Sequence, residues 1–308
     1  MNTPILFLVF NRPDTTIRVF ETVRQAKPPR LYVAADGPRK DKIGEKEKCE
    51  EVRSIIKKVD WSCEVKTLFR DENLGCGRAV SQAITWFFEQ EEEGIILEDD
   101  ILPHPDFFSY CDELLERYRD NGNVGVIAGH NHLYRDLYRE ESYGFIHMSH
   151  IWGWATWRRV WKKYDFNLEK YSEQDFINGL KQNTSNKSVI RYWIWIYKIM
   201  KDYKIDTWDY QLFISLTSNC MLSIIPYRNL TKNIGFDERA THTLVSDQRE
   251  GKIETNPIFP ITHPNDIVVD REAVEITNIE NHLFLTAIDF IKIRIKDLIK
   301  NTYKRIRC

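Results

Sequence analysis

The chain has 308 residues, 42% of them hydrophobic and 29% charged, with a formal net charge of −2. That is enough to bury a full core as one large or two modest domains, and the near balance of charge gives no global attraction to nucleic acid. Six scattered cysteines without a C-x-x-C pair argue against a zinc site and fit a reducing compartment.

The N-terminal "MNTPILFLVFNRPD" has no basic leader, and its apolar run stops at Asn11-Arg12-Pro13, too short for a signal peptide or a membrane span, so a cytoplasmic protein is expected. Short apolar runs then alternate with helical patterns. "PILFLVF" (4–10), "RLYVAAD" (30–36), "CEVKTLF" (63–69), "GIILED" (94–99) and "VGVIAG" (124–129) read as strands. Between them, Ile17, Phe20 and Val23 share a helical face, and residues 77–92 carry Val80, Ala83, Ile84, Phe87 and Phe88 at helical spacing. The alternation predicts an α/β fold, a Rossmann-like mixed sheet flanked by helices.

The ends of these predicted strands are polar: Asn11 and Arg12 after the first, Asp36 after the second, and Glu98, Asp99 and Asp100 after the fourth. In open α/β sheets the ligand crevice lies at the carboxyl ends of the strands, so these residues converge. Three adjacent acids need a cation or a proton: like charges about 4 Å apart repel by roughly 4 kcal/mol near a protein surface. Mg2+ and Mn2+ take oxygen ligands and use one or two protein carboxylates, leaving room for phosphate oxygens. A solvated acidic turn is the competing reading.

From about residue 145 the chain turns aromatic, with "HIWGWATWRRVWKKYDF" and "RYWIWIYKIMKDYKIDTWDYQLF", then a strand in "MLSIIPY" and the polar "NLTKNIGFDERATHT". Trp154, Trp157 and Trp161, spaced three and four apart, suit a core-facing helical stripe as well as a platform for sugar rings, with core the reading for at least two of them; Trp152, beside Gly153, is the better sugar contact. His130 and His132 follow a predicted strand and could line the same crevice, while His147 and His150 read as structural. Residues 283–308 form an amphipathic basic pattern, which either lies on an anionic membrane surface or packs on the body.

The ordered set "FNRPD", "ADGPR", "RDENLGCGRA", "IILEDD" with "PDFF", "GWATWRRVW", "WDYQ" and "ATHT" resembles a bacterial glycosyltransferase of the GT-A fold. It is similar in motif order to N-acetylglucosaminyltransferase I of glycosyltransferase family 13, over roughly residues 4–245. The resemblance implies that Asp100 ligates Mn2+ or Mg2+, while Asp99 and Glu98 meet the ribose or donor sugar. It implies further that Asp36 reads the uracil edge, and that Asn11, Arg12, Arg70, Asn73 and Gly75 line the UDP-sugar site. His242 matches a loop over the diphosphate; beside what the resemblance implies, Trp152 and Trp154 are the expected contacts to a glycan or lipid-linked glycan acceptor. Asp209 corresponds to the catalytic base of an inverting transfer. Tyr210 follows it where the relative has a second acid, which leaves Asp206 as a competitor. The implied layout is a donor half over 1–130, an acceptor and catalytic half over 131–270, and an amphipathic basic helix over 271–308. A sugar-nucleotide nucleotidyltransferase needs a glycine-rich phosphate loop after the first strand, where this chain reads "VFNRPDTT". A glycan- or nucleotide-binding module remains the non-catalytic alternative. No partner nucleic acid is expected, and the sequence leaves the oligomeric state open.

Overall fold

The structure, a computed structural model, describes residues 1–203, 205–235 and 253–280. Four parallel strands, β1 (Ile5–Val9), β2 (Arg30–Ala35), β3 (Glu64–Phe69) and β4 (Glu93–Glu98), lie in the order β3-β2-β1-β4. They are joined by α1 (Pro13–Ala26), α2 (Glu45–Ile55) and α3 (Cys76–Gln90). All five residues of β1 are buried, because a central parallel strand is covered on both faces and so reads as a continuous apolar run. β3 closes the edge and exposes Glu64, Val65 and Thr67; its charged Glu64 and Lys66 discourage pairing with another chain. The strand order reverses at β1, with β2 on one side and β4 on the other, which makes the carboxyl ends of β1 and β4 a switch-point crevice.

β4 runs through the acidic turn into β5 (Ile101–Pro103), which pairs antiparallel with β10 (Thr231–Asn233) in a two-stranded ribbon. The main sheet continues with β6 (Val124–Ala128), β7 (Tyr143–Ile146), β8 (Trp154–Trp157) and β9 (Leu222–Pro226) in the order β4-β8-β6-β9-β7. β8 is antiparallel to both its neighbours, β6 and β9 are parallel, and β7 is antiparallel to β9. The result is an eight-stranded mixed sheet flanked by helices, the α/β class the sequence predicts. Besides α4 (Asp106–Arg117) and the short α5 (Arg158–Trp161), this half carries α6 (Glu173–Asn183), α7 (Lys187–Tyr203), α8 (Asp209–Ser218) and α9 (Arg271–Glu280). Phe176, Trp193 and Phe213, from α6, α7 and α8, build a second core against the far side of the sheet. Among the described residues no helix is long and apolar enough to cross a membrane. The amphipathic basic pattern over 283–308 lies outside the described residues, as does His242.

The tryptophan spacing is corrected by the structure. Trp154 and Trp157 stand on a strand, so a separation of three sends them to opposite faces of the sheet. Trp157 donates its indole N–H to the Leu115 carbonyl of α4, and Trp154 stacks on Trp208 at 5.7 Å between centroids. Trp154 is 1% exposed and is a core residue, not an acceptor contact. Trp154→Ala is expected to cost about 3–5 kcal/mol, as loss of a buried aromatic does, read as a lower denaturant midpoint.

Candidate active site

The switch-point crevice is a cleft of about 640 Å³, floored by the ends of β1, β2 and β4 and walled by the loop that precedes α8. That volume lies in the range of small-molecule sites. Asn11, Arg12, Asp36, Arg70, Asn73, Gly75, Glu98, Asp99, Asp100, Trp152, Asp206 and Asp209 all contribute to its lining. Of the sequence-predicted site residues that the structure describes, Trp154 and the two candidate histidines, His130 and His132, lie outside this cleft. A larger open groove, about 850 Å³, lies at the amino ends of the strands, but its charges are spent on one another: Arg30 pairs with Glu91, Arg119 with Glu93 and Arg158 with Glu92.

The three acids of the turn have different surroundings. Asp99 Oδ2 accepts from the Phe10 N–H at 3.0 Å and lies 3.3 Å from the Thr16 hydroxyl, which ties the end of β4 to the start of α1. Asp100 Oδ2 meets Arg12 Nη1 at 3.3 Å, and the same guanidinium nitrogen donates to the Gly235 carbonyl at 3.1 Å. The Asp100 carbonyl accepts from the Ile234 N–H at 2.8 Å. A Cβ at position 235 would overlap both Asp100 Oδ2 and Arg12 Nη1, so any side chain there displaces this pair. Glu98 has neither a side-chain hydrogen bond nor an ion pair among the described residues. Burial and the charges of Asp100, Asp99 and Asp209 push it well above the ordinary carboxylate range. Burial and Asp100 push Asp99 up to about 7, against the opposing pull of the Phe10 N–H and Arg12.

This donor set fits a hard divalent cation. Burial first, and then the neighbouring carboxylates, raise Glu98 and Asp99 above the ordinary carboxylate range, Asp100 and Asp209 acting on Glu98 and Asp100 on Asp99, with the Arg12 guanidinium beside Asp100. Among the described residues no three His, Cys, Asp or Glu side chains close around a point. An oxygen-liganded ion that draws one or two carboxylates from the protein does not require such a cage.

The opposite wall is built from backbone. Four consecutive N–H groups, those of Leu74, Gly75, Cys76 and Gly77, lead into α3, and two carboxylates share them. Asp36 takes Leu74 (3.0 Å) and Gly75 (3.2 Å), while Asp206 takes Cys76 (3.1 Å) and Gly77 (2.8 Å). These are donors that a helix start leaves unpaired, and a negative charge there is favourable against the helix dipole. Gly75 sits at φ +80°, and a Cβ on it would meet the Asp206 carboxylate. Burial raises Asp36 above its ordinary range despite those N–H bonds. Asn73 donates to the Gly37 carbonyl at 2.8 Å, and Arg70 to Gln82 Oε1 at 3.1 Å.

Asp209 opens α8 and accepts a hydrogen bond from the Thr207 hydroxyl. Its charge is one of those acting on Glu98 across the cleft. Cys76 lines the same cleft, its thiol pushed up to about 12 by burial and by Glu98, Asp206 and Asp209. Trp152 is half-buried, with its ring against His130 at 4.9 Å and His132 at 4.6 Å. The two histidines form no part of the cleft wall. His132 stacks on His150 at 4.3 Å, and burial lowers His130, His132 and His150, leaving these rings as neutral backing for Trp152.

Sequence reasoning missed Gly235, Thr16, Thr207 and the capping role of Asp206. The one available signal was "GCG" at 75–77 ahead of a helix, since paired glycines there indicate that another group approaches the backbone closely.

No protein-family model matches this sequence, and the search of curated proteins finds no match. Several solved structures are similar at a distance. A UDP-glucose pyrophosphorylase aligns over 73% of this chain and 90% of its own, with 12% identity and a TM-score of 0.37. S. aureus TarS 1-349 aligns over 67% and 72%, with 8% identity and a TM-score of 0.37. HddC from Yersinia pseudotuberculosis aligns over 55% and 87%, with 13% identity and a TM-score of 0.35. At such identities and scores these likenesses carry nothing about the reaction, and none of them bears on the resemblance to family 13.

Proposed function

We propose that the chain is a metal-dependent, inverting glycosyltransferase, which moves a sugar from a UDP-sugar to a hydroxyl of a glycan or lipid-linked glycan in surface polysaccharide synthesis. The observation that carries this reading is one cleft at the carboxyl ends of β1, β2 and β4, in which the acidic turn Glu98–Asp100 and a separate carboxylate, Asp209, lie together. Direct displacement at a sugar carbon has those two requirements: neutralisation of a departing diphosphate and a base for the incoming hydroxyl. Asp209 accepts the acceptor's proton as its oxygen bonds to the anomeric carbon, and the bond from that carbon to UDP breaks with its electron pair leaving on the diphosphate. Mn2+ or Mg2+ held by Asp100 supplies the electrophilic neutralisation when bound. Arg12 stands beside Asp100 as a fixed cation, Glu98 and Asp99 would meet the donor sugar and ribose, and Asn11, Asp36, Arg70, Asn73 and Gly75 line the nucleoside side. Trp152, backed by neutral histidines, offers an aromatic face for the acceptor.

The reading is tested by incubating the protein with a set of UDP-sugars and MnCl2 without acceptor. Metal-dependent UDP release is expected from one of them. Absence of metal-dependent UDP binding in calorimetry would favour a binding module, and UTP formation from UDP-sugar and pyrophosphate would favour a nucleotidyltransferase. Gly235→Ala, which pushes a methyl group between Asp100 and Arg12, is expected to cut UDP release about tenfold or more while leaving the thermal midpoint within a few degrees.

A further inference from the structure

We propose that Asp206 is a positioning residue, which sets Asp209 against the acidic turn by clamping the 205–208 loop to the amino end of α3. The proposal rests on the glycosyltransferase reading. Both oxygens of Asp206 are engaged, Oδ2 with the Cys76 N–H and Oδ1 with the Gly77 N–H. Two directional bonds to one carboxylate fix its rotation as well as its place. The bonds are charge-assisted and sit at the positive end of a 15-residue helix, the strongest backbone site for such a grip.

The loop behind Asp206 is short and cross-braced, so the grip reaches Asp209 with little slack. Thr207 N–H turns back on the Ile205 carbonyl at 2.8 Å, Gln211 Nε2 holds the Thr207 carbonyl at 2.8 Å, and the Thr207 hydroxyl donates to Asp209. Gly77 lets the two segments touch: a Cβ there would come within 2.7 Å of the Thr207 carbonyl oxygen. The start of α3 is itself fixed to the end of β2 through Asp36. A continuous path of hydrogen bonds therefore runs from the donor half of the cleft to Asp209. Each Asp206 oxygen accepts one backbone N–H, so the carboxylate is spent first on holding this loop against α3.

The test begins with wild-type protein, MnCl2 and the UDP-sugar that the screen selects. Asp206→Ala is expected to lower kcat about a hundredfold, the scale of a 1 Å misplacement, with donor KM and calorimetric UDP affinity within about twofold of wild type. Asp206→Asn, whose carbonyl oxygen can still accept from Gly77, is expected to recover about tenfold of that loss. If Asp206→Ala does not yield folded protein, Gly77→Ala carries the same comparison: alanine strengthens a helix, yet its Cβ displaces the Thr207 carbonyl, so the same selective fall in kcat is expected. An unchanged kcat, a parallel loss of UDP affinity, or no recovery in Asp206→Asn overturns the proposal alone. A wild-type protein without metal-dependent UDP release overturns the glycosyltransferase reading, and this proposal with it.

Discussion

Asp209→Asn is expected to lower kcat by about 10²–10⁴-fold, the range for loss of a positioned general base, while UDP and Mn2+ bind as they do to wild type. The substitution is nearly isosteric. The Thr207 hydroxyl can still donate to an amide oxygen at 209, and α8 still starts at the same residue, so geometry survives where proton acceptance does not. Steady-state turnover with saturating donor and acceptor, beside calorimetry with UDP and Mn2+, separates the two effects. Full activity in Asp209→Asn would move the base to another group. Asp206 is a poor candidate for it, because both of its oxygens are held by backbone N–H groups.

The second large effect is expected at Asp100. Asp100→Ala removes the carboxylate that meets Arg12 and stands nearest the ribbon formed by β5 and β10. Turnover is expected to fall on the order of 10³-fold, about 4 kcal/mol, and the metal dependence of UDP binding should vanish with it. Chelation of the wild-type protein with EDTA should reproduce that loss, and Mn2+ should reverse it for wild type but not for Asp100→Ala. Turnover of Asp100→Ala at the wild-type rate with saturating donor would remove the metal role. Thermal denaturation distinguishes this from damage to the fold, since Asp100 is a turn residue outside the apolar core.

Strands buried on both faces announce themselves as apolar runs, and for that reason β1, β2, β4, β6 and β9 were legible in the sequence. The polar residues that close those runs located the cleft, because a parallel sheet aligns its carboxyl ends. β8 was not legible. Its tryptophans recur at a helical interval, and what makes it a strand is the pairing of Glu93–Ile96 on one side and Ile127–Ala128 on the other, which is non-local. β5 and β10 are three residues each and exist through their mutual pairing. In the site, residue types were readable but partners were not. The resemblance assigns Asp36 to the uracil edge and Asp209, with Asp206 as its competitor, to the base, but only the fold shows that Asp36 and Asp206 accept from backbone N–H groups.

The position of β8 bears on how this chain can be made and divided. β4 is completed by residue 98, but the strand that covers its open edge begins at residue 154. During synthesis at about 5–20 residues per second, an unpaired row of backbone groups along Gly94–Ile96 stays uncovered until that later segment has emerged. A fragment cut near residue 130 would keep this edge exposed permanently and is expected to associate with itself. The β1–β4 half of the sheet is therefore not a detachable module, and expression of the first 130 residues alone should yield aggregates where the longer chain yields dispersed protein.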